Sequence, residues 1–451
     1  MSINRILIAN RGEIAVRIIR ACKELGIEAV AVYSDADKDS LHVQLADDSV
    51  HIGSSLPAKS YLDQKILIRA AKEKQVDAIH PGYGFLAENA DFSEKCVKND
   101  IIFIGPSAEV INKMGNKIEA INNAIDAGVP VVTDTKNISS DFADIKSVAE
   151  KIGYPILLKA AAGGGGKGMK IVYEPGNLEE EFSKTKREVE AIFGNGDLYV
   201  ERYINNARHV EVQVLFDSYG NGIHLGERDC SMQRRHQKLV EEAPSPILSQ
   251  EMRKEMTEAA LKIGSHVGYT SAGTVEFIVD MDKETFYFIE MNTRIQVEHP
   301  VTESLTDVDL IKEQILIASG ETLKLNQEDI YFRGHSIECR INAEDPDNQF
   351  APRPGKIEKF VAPGGPGIRI DTACYTGYVV PPFYDSMIAK IIATGKDREE
   401  AIQRMRRALS EFKIEGIPTT ISFHEKLIEN EDFITSNFNT RWVENSMQPV
   451  S

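Results

Sequence analysis

The stretch "PILLKAAAGGGGKGMKIVY" (Pro155–Tyr173) sets four consecutive glycines and a lysine between two apolar runs. Glycine leaves the backbone bare, so phosphate oxygens can approach its N–H groups. This is not a Walker A loop, because no glycine stands six residues before Lys167 and no Ser or Thr follows it. Gly163, Gly165 and Gly168 do spell G-x-G-x-x-G. That fingerprint, however, must run from a strand into a helix whose N-terminus receives a pyrophosphate. Here "MKIVY" follows at once, alternating and β-branched, and reads as a second strand. The stretch is therefore a glycine hairpin between strands, a flap suited to closing over a nucleotide.

Outside the flap, the first hundred residues alternate strand and helix. "RILIAN" and "EAVAVY" read as strands, and "EIAVRIIRACKELG" as a helix closed by Gly26. This rhythm predicts a doubly wound parallel sheet, with "ANRGE" and "HPGYGFLAEN" as loops at its ligand-binding edge. "PSAEVINKMGNKIEAINNAIDAGVPV" carries helical periodicity, and a small α/β unit around the flap closes near "DLYVERYI". A mostly β region follows, with "VEVQVLFD", "GIHLGERD", "GTVEFIVD" and "TFYFIEMN" as strands. From about Gly334 the chain becomes rich in Pro and Gly turns and reads as α+β.

The bulk numbers exclude several function classes. A length of 451 residues suits about three domains. A formal net charge of −17 argues against nucleic-acid binding but leaves room for a local cationic pocket. The cysteines Cys22, Cys96, Cys230, Cys339 and Cys374 are odd in number and lack a C-x-x-C, which fits a reducing cytosol. No window approaches the roughly 18 apolar residues of a membrane span. A cytoplasmic protein without membrane or nucleic-acid contact is expected.

Three constellations carry chemistry. If the turn between "TVEFIVD" and "FYFIEMN" is centred on Lys283, Glu276 and Glu290 stand opposite each other on an antiparallel ladder, with Cβ atoms roughly 5 Å apart. Like charges so close call for a cation, and a magnesium ion bridging nucleotide phosphates would suit them. Next, "EMNTRIQVEHP" places Glu290, Asn292, Arg294, Gln296 and Glu298 two apart, on one face of an extended segment. Such a file can hold a metal at one end and a small oxyanion at the other, with Arg294 as the anion's fork and a carboxylate as general base. Finally, "GERDCSMQRRHQKLVEEAPSP" concentrates Arg228, Arg234, Arg235, His236 and Lys238 in an acidic chain, which predicts an anion pocket. Cys230 lacks an assigned base and is read as a small residue beside the site. Lys117 and Lys159 are candidate phosphate ligands.

Together these motifs resemble biotin carboxylase, the ATP-grasp component of the biotin-dependent carboxylases. The resemblance runs through "ILIANRGEIAVRIIRA", "LLKAAAGGGGKGM", "HVEVQVL", "EMNTRIQVEHPVTE", "IECRINAEDP" and "YDSMIAK", nearly the whole chain. Asn116 departs from it, standing where the family has Asp before the lysine. The resemblance implies an α/β and α+β ATP-grasp fold. Its parts would be a Rossmann-like N-terminal domain (1–114), an ATP-grasp domain (115–330) with a mobile lid at about 132–203, and a C-terminal biotin carboxylase domain (334–446). It implies ATP- and bicarbonate-dependent carboxylation of biotin through carboxyphosphate.

Residue by residue, it places Lys117, Lys159, His209, Gln233 and His236 at the nucleotide phosphates or ribose, with the flap glycines Gly164, Gly165 and Gly166 over ATP. Met169, Glu201 and Ile204 would line the adenine pocket. Glu276 and Glu290, with Asn292, would hold two magnesium or manganese ions. Lys238, Arg294, Gln296 and the backbone of Val297 would bind bicarbonate, Glu298 would deprotonate it, and Arg340 would stabilise the biotin enolate. No "AMKM"-type biotinylation site occurs and no carboxyltransferase region follows Ser451. Biotin is accordingly expected on a separate biotin carboxyl carrier protein, with carboxyltransferase subunits as further partners and a homodimer as the family's usual state. Acetyl-CoA carboxylase is the expected parent. Pyruvate or another acyl-CoA carboxylase is an alternative, and another ATP-grasp carboxylate–amine ligase a more distant one.

Overall fold

In the computed structural model, residues 3–132, 139, 141–161, 168–194 and 196–446 are described. Arg5–Ile8 (β1), Glu28–Ser34 (β2), Asp48–Gly53 (β3), Ala78–His80 (β4) and Ile102–Phe103 (β5) form a parallel sheet in the order β3-β2-β1-β4-β5. Helix α1 (Gly12–Glu24) packs Ile14, Ala15, Ile18, Ile19 and Cys22 into the core, the stripe its apolar spacing demands. At the C-terminal edge of the strands, the Asn10 amide donates to both Pro81 O and Tyr83 O at 2.7 Å. A Cβ on Gly82 (φ +62°) would meet that amide at 2.9 Å, so only glycine lets the two edge loops close together.

The helical stretch after this sheet is two helices, Ala108–Gly115 and Lys117–Asp126 (α2), where the sequence suggested one. The break is at Asn116, whose side chain accepts from Ile118 N and Glu119 N and so caps α2. A carboxylate there could accept the same two bonds, so Asn116 serves the cap as an Asp would. Beyond it, Ile156–Ala160 (β6), Met169–Val172 (β7) and Leu198–Arg202 (β8) form an antiparallel sheet in the order β7-β6-β8. Phe142–Ile152 (α3) and Leu178–Phe193 (α4) pack on it. Lys159 pairs with Met169, so the glycine run does join two antiparallel strands; Gly164, Gly165 and Gly166 themselves lie outside the described residues.

The centre of the molecule is an eight-stranded antiparallel sheet. Its strands are Ala207–Phe216 (β9), Gly222–Arg234 (β10), Gln237–Ala243 (β11), Ser271–Asp280 (β12), Thr285–Asn292 (β13), His335–Asn342 (β14), Ile368–Thr372 (β15) and Met387–Gly395 (β16). They run in the order β13-β12-β9-β10-β11-β14-β16-β15. The β11–β14 pairing makes the sheet continuous from the middle of the chain into its C-terminal region. On one face Val210, Val212 and Val214 pack with Met256, Ala260 and Ile263 of helix α5 (Gln250–Val267). The alternation of the strand therefore sends Glu211 and Gln213 to the other face. Among the described residues no helix is long and apolar enough to cross a membrane.

Candidate active site

Register assembles a charged row across that second face. Glu211 of β9 stands opposite Arg228 of β10 and Glu276 of β12, and Glu276 stands opposite Glu290 of β13. The Glu276–Glu290 pairing is the one the sequence predicts, but the route differs. The turn occupies Met281–Glu284, so pairs near it run Phe277 with Phe288, and a register shift between Glu276 and Phe277 restores the opposition. The bulge leaves Ile289 as the extra residue and turns Glu290 toward a cleft.

That cleft, of about 470 Å³, lies between the small α/β unit and the central sheet. Lys117 at the start of α2, Lys159 of β6 and Met169 of β7 line one side, with Glu201 and Ile204 beside them. His209, Glu276 and Glu290 form its floor, while Gln233 near the end of β10 and His236 in the β10–β11 turn line it as well. Lys159 Nζ is 3.0 Å from Glu201 Oε2, and this carboxylate, with Tyr199, keeps the ammonium well above the ordinary lysine range despite burial. Lys117 is pulled down by burial and by Lys159. Burial, then the facing Glu276 carboxylate, pushes Glu290 up against the pull of Lys117 and Lys159. Two opposed carboxylates beside two lysines are a hard-oxygen donor set, and a divalent cation between them would relieve the repulsion that raises Glu290. The residues therefore fit magnesium.

Beyond Glu276 the cleft continues into a buried charge network centred on Lys238. Its Nζ lies 2.5 Å from Glu211 Oε2, 2.6 Å from Glu298 Oε1 and 3.1 Å from Glu276 Oε1. Burial works against this ammonium, but the carboxylates of Glu211, Glu276 and Glu298 together hold it well above the usual lysine value. Arg340 Nη2 donates to Glu298 Oε2 at 2.9 Å and its Nε donates to Glu241 at 2.6 Å. Burial would raise Glu298, yet Lys238, Arg340 and Arg228 keep it far below the carboxylate range, and so ionised. The same competition holds Glu276 down, with Lys238 and His209 as its cations.

The polar file from Glu290 converges, though not as one extended strand. Strand β13 ends at Asn292, and the chain then bends until Glu298 precedes helix α6 (His299–Thr306). The Asn292 amide donates to Glu276 at 2.8 Å and its carbonyl accepts from Arg294 at 3.0 Å. Arg294 also donates to Gln296 at 2.8 Å, and Gln296 donates to Glu276 at 3.1 Å. The bend, rather than a two-residue period, brings these side chains onto one carboxylate.

The cationic run divides. His236 and Lys238 reach the cleft and the network. Arg228 is fully buried and hydrogen-bonded to Glu211, Gln213, Thr274 and Thr302, which ties the sheet to α6. Arg234 lies over the Phe350 ring at 4.4 Å and donates to Gln349 O, away from the anion region. Burial, with the nearby Glu211, pushes the Cys230 thiol far up, in keeping with its reading as an inert neighbour. Glu88, which lies in the edge loop "HPGYGFLAEN" but is assigned no role of its own by the sequence, accepts from Arg294 Nε at 2.8 Å and brings that loop to the site. Thr440, Arg441 and Glu444 close the cleft from the C-terminal helix Trp442–Ser446 and the turn before it. These three lie outside every motif.

Comparison with known proteins covers the chain in three stretches. Residues 2–111 match the family "Biotin carboxylase, N-terminal domain" and residues 338–445 match "Biotin carboxylase C-terminal domain". Residues 116–326 match "Carbamoyl-phosphate synthase L chain, ATP binding domain". Biotin carboxylase 1 of Bacillus subtilis is 58% identical over 442 residues, covering 98% of each chain. A pyruvate carboxylase component from Methanothermobacter thermautotrophicus is 52% identical over 98% of this chain and 89% of its own. The biotin carboxylase domain dimer of Hydrogenobacter thermophilus 2-oxoglutarate carboxylase superposes with a TM-score of 0.94 at 49% identity, over 99% of this chain and 98% of that one. That structure holds MgADP, ADP and bicarbonate.

Proposed function

The chain belongs to the biotin carboxylase family, ATP-dependent ligases of the biotin-dependent carboxylases, and from that premise we propose the reaction ATP + bicarbonate + biotinyl carrier → ADP + phosphate + carboxybiotinyl carrier. The observation that carries it is Lys238, whose ammonium touches both Glu276 at the nucleotide cleft and Glu298 at the buried carboxylate network. A single cation thus couples the place of phosphate to the place of proton removal.

ATP binds in the cleft, its phosphates met by Lys117, Lys159, His209, Gln233 and His236 and its base set beside Met169, Glu201 and Ile204. Two magnesium or manganese ions held by Glu276, Glu290 and Asn292 would draw charge from those phosphates. Lys238, Arg294, Gln296 and the Val297 N–H receive bicarbonate. Glu298 is ionised and so ready to take its proton; a second anion competing for Lys238 weakens the grip on Glu298 and makes it a better base. The freed oxygen attacks the γ-phosphorus, ADP leaves, and carboxyphosphate breaks down to CO₂ and phosphate. Phosphate takes the ureido proton of biotin, and Arg340 stabilises the resulting oxyanion beside the CO₂.

The domain division is 1–114, 115–330 with its lid at about 132–203, and 334–446. The carrier is a biotin carboxyl carrier protein, acting with carboxyltransferase subunits; the enzyme is a cytoplasmic homodimer. The acyl acceptor is acetyl-CoA, as the first half-reaction leading to malonyl-CoA. The Methanothermobacter and Hydrogenobacter relatives keep pyruvate and 2-oxoglutarate as alternatives. ATP hydrolysis is expected to require bicarbonate and to rise on adding free biotin. Hydrolysis indifferent to biotin would instead indicate a ligase acting on another nucleophile.

A further inference from the structure

The bend Gln296–Glu298 has each of its three carbonyl groups occupied. His299 Nδ1 lies 2.7 Å from Gln296 O, and Val301 N–H donates to Glu298 O at 3.2 Å, both within the segment or the helix it enters. The Val297 carbonyl, by contrast, accepts from Lys390 Nζ at 2.7 Å, a partner 93 residues further along the chain. Lys390 stands in the middle of β16, in register with Arg340 on β14 and Asp371 on β15. Its side chain is 0% exposed. Glu13 Oε2, at the start of α1, is 3.3 Å away and Asp371 Oδ2 is 3.9 Å away. The other Glu13 oxygen accepts a hydrogen bond from Tyr83, in the loop after β4.

A fully buried ammonium is costly to desolvate, and a buried pair alone is seldom a net gain over apolar packing. Pairing with Glu13 and Asp371 therefore does not by itself account for a lysine here. The carbonyl contact does. Holding Val297 C=O fixes the plane of the 297–298 peptide, and with it the Cα from which the Glu298 carboxylate projects. It also fixes one end of Val297, whose N–H is the backbone donor assigned to bicarbonate.

We propose that Lys390 is a positioning residue for bicarbonate, pinning the Val297–Glu298 peptide so that a backbone donor and the basic carboxylate address the same anion. Glu13, backed by Tyr83, holds the ammonium in place and so fastens the N-terminal sheet to the bend. This rests on the bicarbonate assignment above. Lys390 touches no reactant, and its loss should be felt in one substrate only.

The test is steady-state ATP hydrolysis with bicarbonate and ATP varied in turn. Wild-type protein is assayed first; if its hydrolysis ignores bicarbonate, the proposed function fails, independently of Lys390. Lys390→Met leaves Glu13 short of a cation, so the double variant Lys390→Met/Glu13→Gln is made beside it, with Asp371 still held by Arg369 at 2.7 Å. Both variants are expected to raise the bicarbonate KM about tenfold, the equivalent of about 1.4 kcal/mol, while the ATP KM stays within about twofold. The double variant should regain thermal stability lost in the single one without regaining bicarbonate affinity. A wild-type bicarbonate KM in the double variant, or equal rises for both substrates, overturns the proposal. Should neither variant fold, Glu13→Gln alone carries the test: a several-fold rise in bicarbonate KM supports the proposal and an unchanged value overturns it.

Discussion

At the scale of the single residue, Glu298 concentrates the site's electrostatics. It is wholly buried, and two cations, Lys238 and Arg340, each hold one of its oxygens. Removing the carboxylate does not strip those cations of all partners, because Lys238 keeps Glu211 and Glu276 and Arg340 keeps Glu241. Glu298→Gln is therefore expected to fold. Its bicarbonate-dependent kcat should fall by about 100-fold or more, the usual loss on removing a general base. Nucleotide affinity should stay within about twofold, since Glu298 is not among the residues lining the cleft. Titration of ATP into the variant checks this, and weakened ATP binding would contradict the assigned role. Because Lys238 and Arg340 hold Glu298 far below the neutral range, its ionisation should not set an acid limb of activity between about pH 6 and 8 in the free enzyme.

At the scale of the element, the turn joining β10 to β11 trades stability for function. Arg235 and His236 occupy it with φ of +49° and +65°, the left-handed values that a two-residue hairpin turn demands and that Asn-Gly meets more cheaply. Left-handed backbone costs a side-chain-bearing residue roughly 1–2 kcal/mol, while glycine's extra chain entropy costs about 0.5–1 kcal/mol. His236→Gly should thus leave stability unchanged or raise it by up to about 1.5 kcal/mol. The same change should raise the ATP KM several-fold, because His236 lines the cleft. Thermal melting beside ATP kinetics reads both, and an unaltered ATP KM would remove His236 from the nucleotide site. Elements also mark how far the sequence was legible. The glycine hairpin's flanking strands and the parallel N-terminal sheet could be read from local periodicity, whereas the Glu276–Glu290 opposition follows in the sequence from a turn centred on Lys283 and in the structure from the bulge at Ile289. The shift near Ile289 and the bend after Asn292 could not be read in this way. The inward set moves from Phe286 and Phe288 to Met291, and such a break in the two-residue phase does not by itself distinguish a bulge from the end of a strand. Glu211 escaped notice for a related reason. In "VEVQVLFD" it looks like one polar member of a half-exposed strand, and only its central place in an eight-stranded sheet buries it.

At the scale of the molecule, the continuous sheet makes the C-terminal region part of the site's frame, since Arg340 comes from β14 across the β11–β14 seam. That seam has a charged clasp one residue along from Glu241. Glu242 of β11 is buried and accepts from His335 Nε2 at 2.8 Å and from Arg398 Nε at 2.7 Å. Arg398, which opens helix Arg398–Glu411, also donates to Phe433 O and Ile434 O, so the clasp gathers three parts of the C-terminal region. Burial would raise the Glu242 carboxyl, but His335 and Arg398 bring it down to about 2. A folded-state pKa below the unfolded value near 4.3 means that unfolding takes up a proton, so stability drops as the solution is acidified. The contribution is fully present above about pH 5 and is lost as pH falls toward about 2, with a size of about 3 kcal/mol. Glu242→Gln should accordingly be less stable than wild type at pH 7, and the gap should narrow steadily between about pH 5 and pH 3. Denaturant unfolding of both proteins across that range measures it. A gap that stays constant with pH would mean that Glu242 contributes through packing and hydrogen bonding alone, and that the seam is not held by its charge.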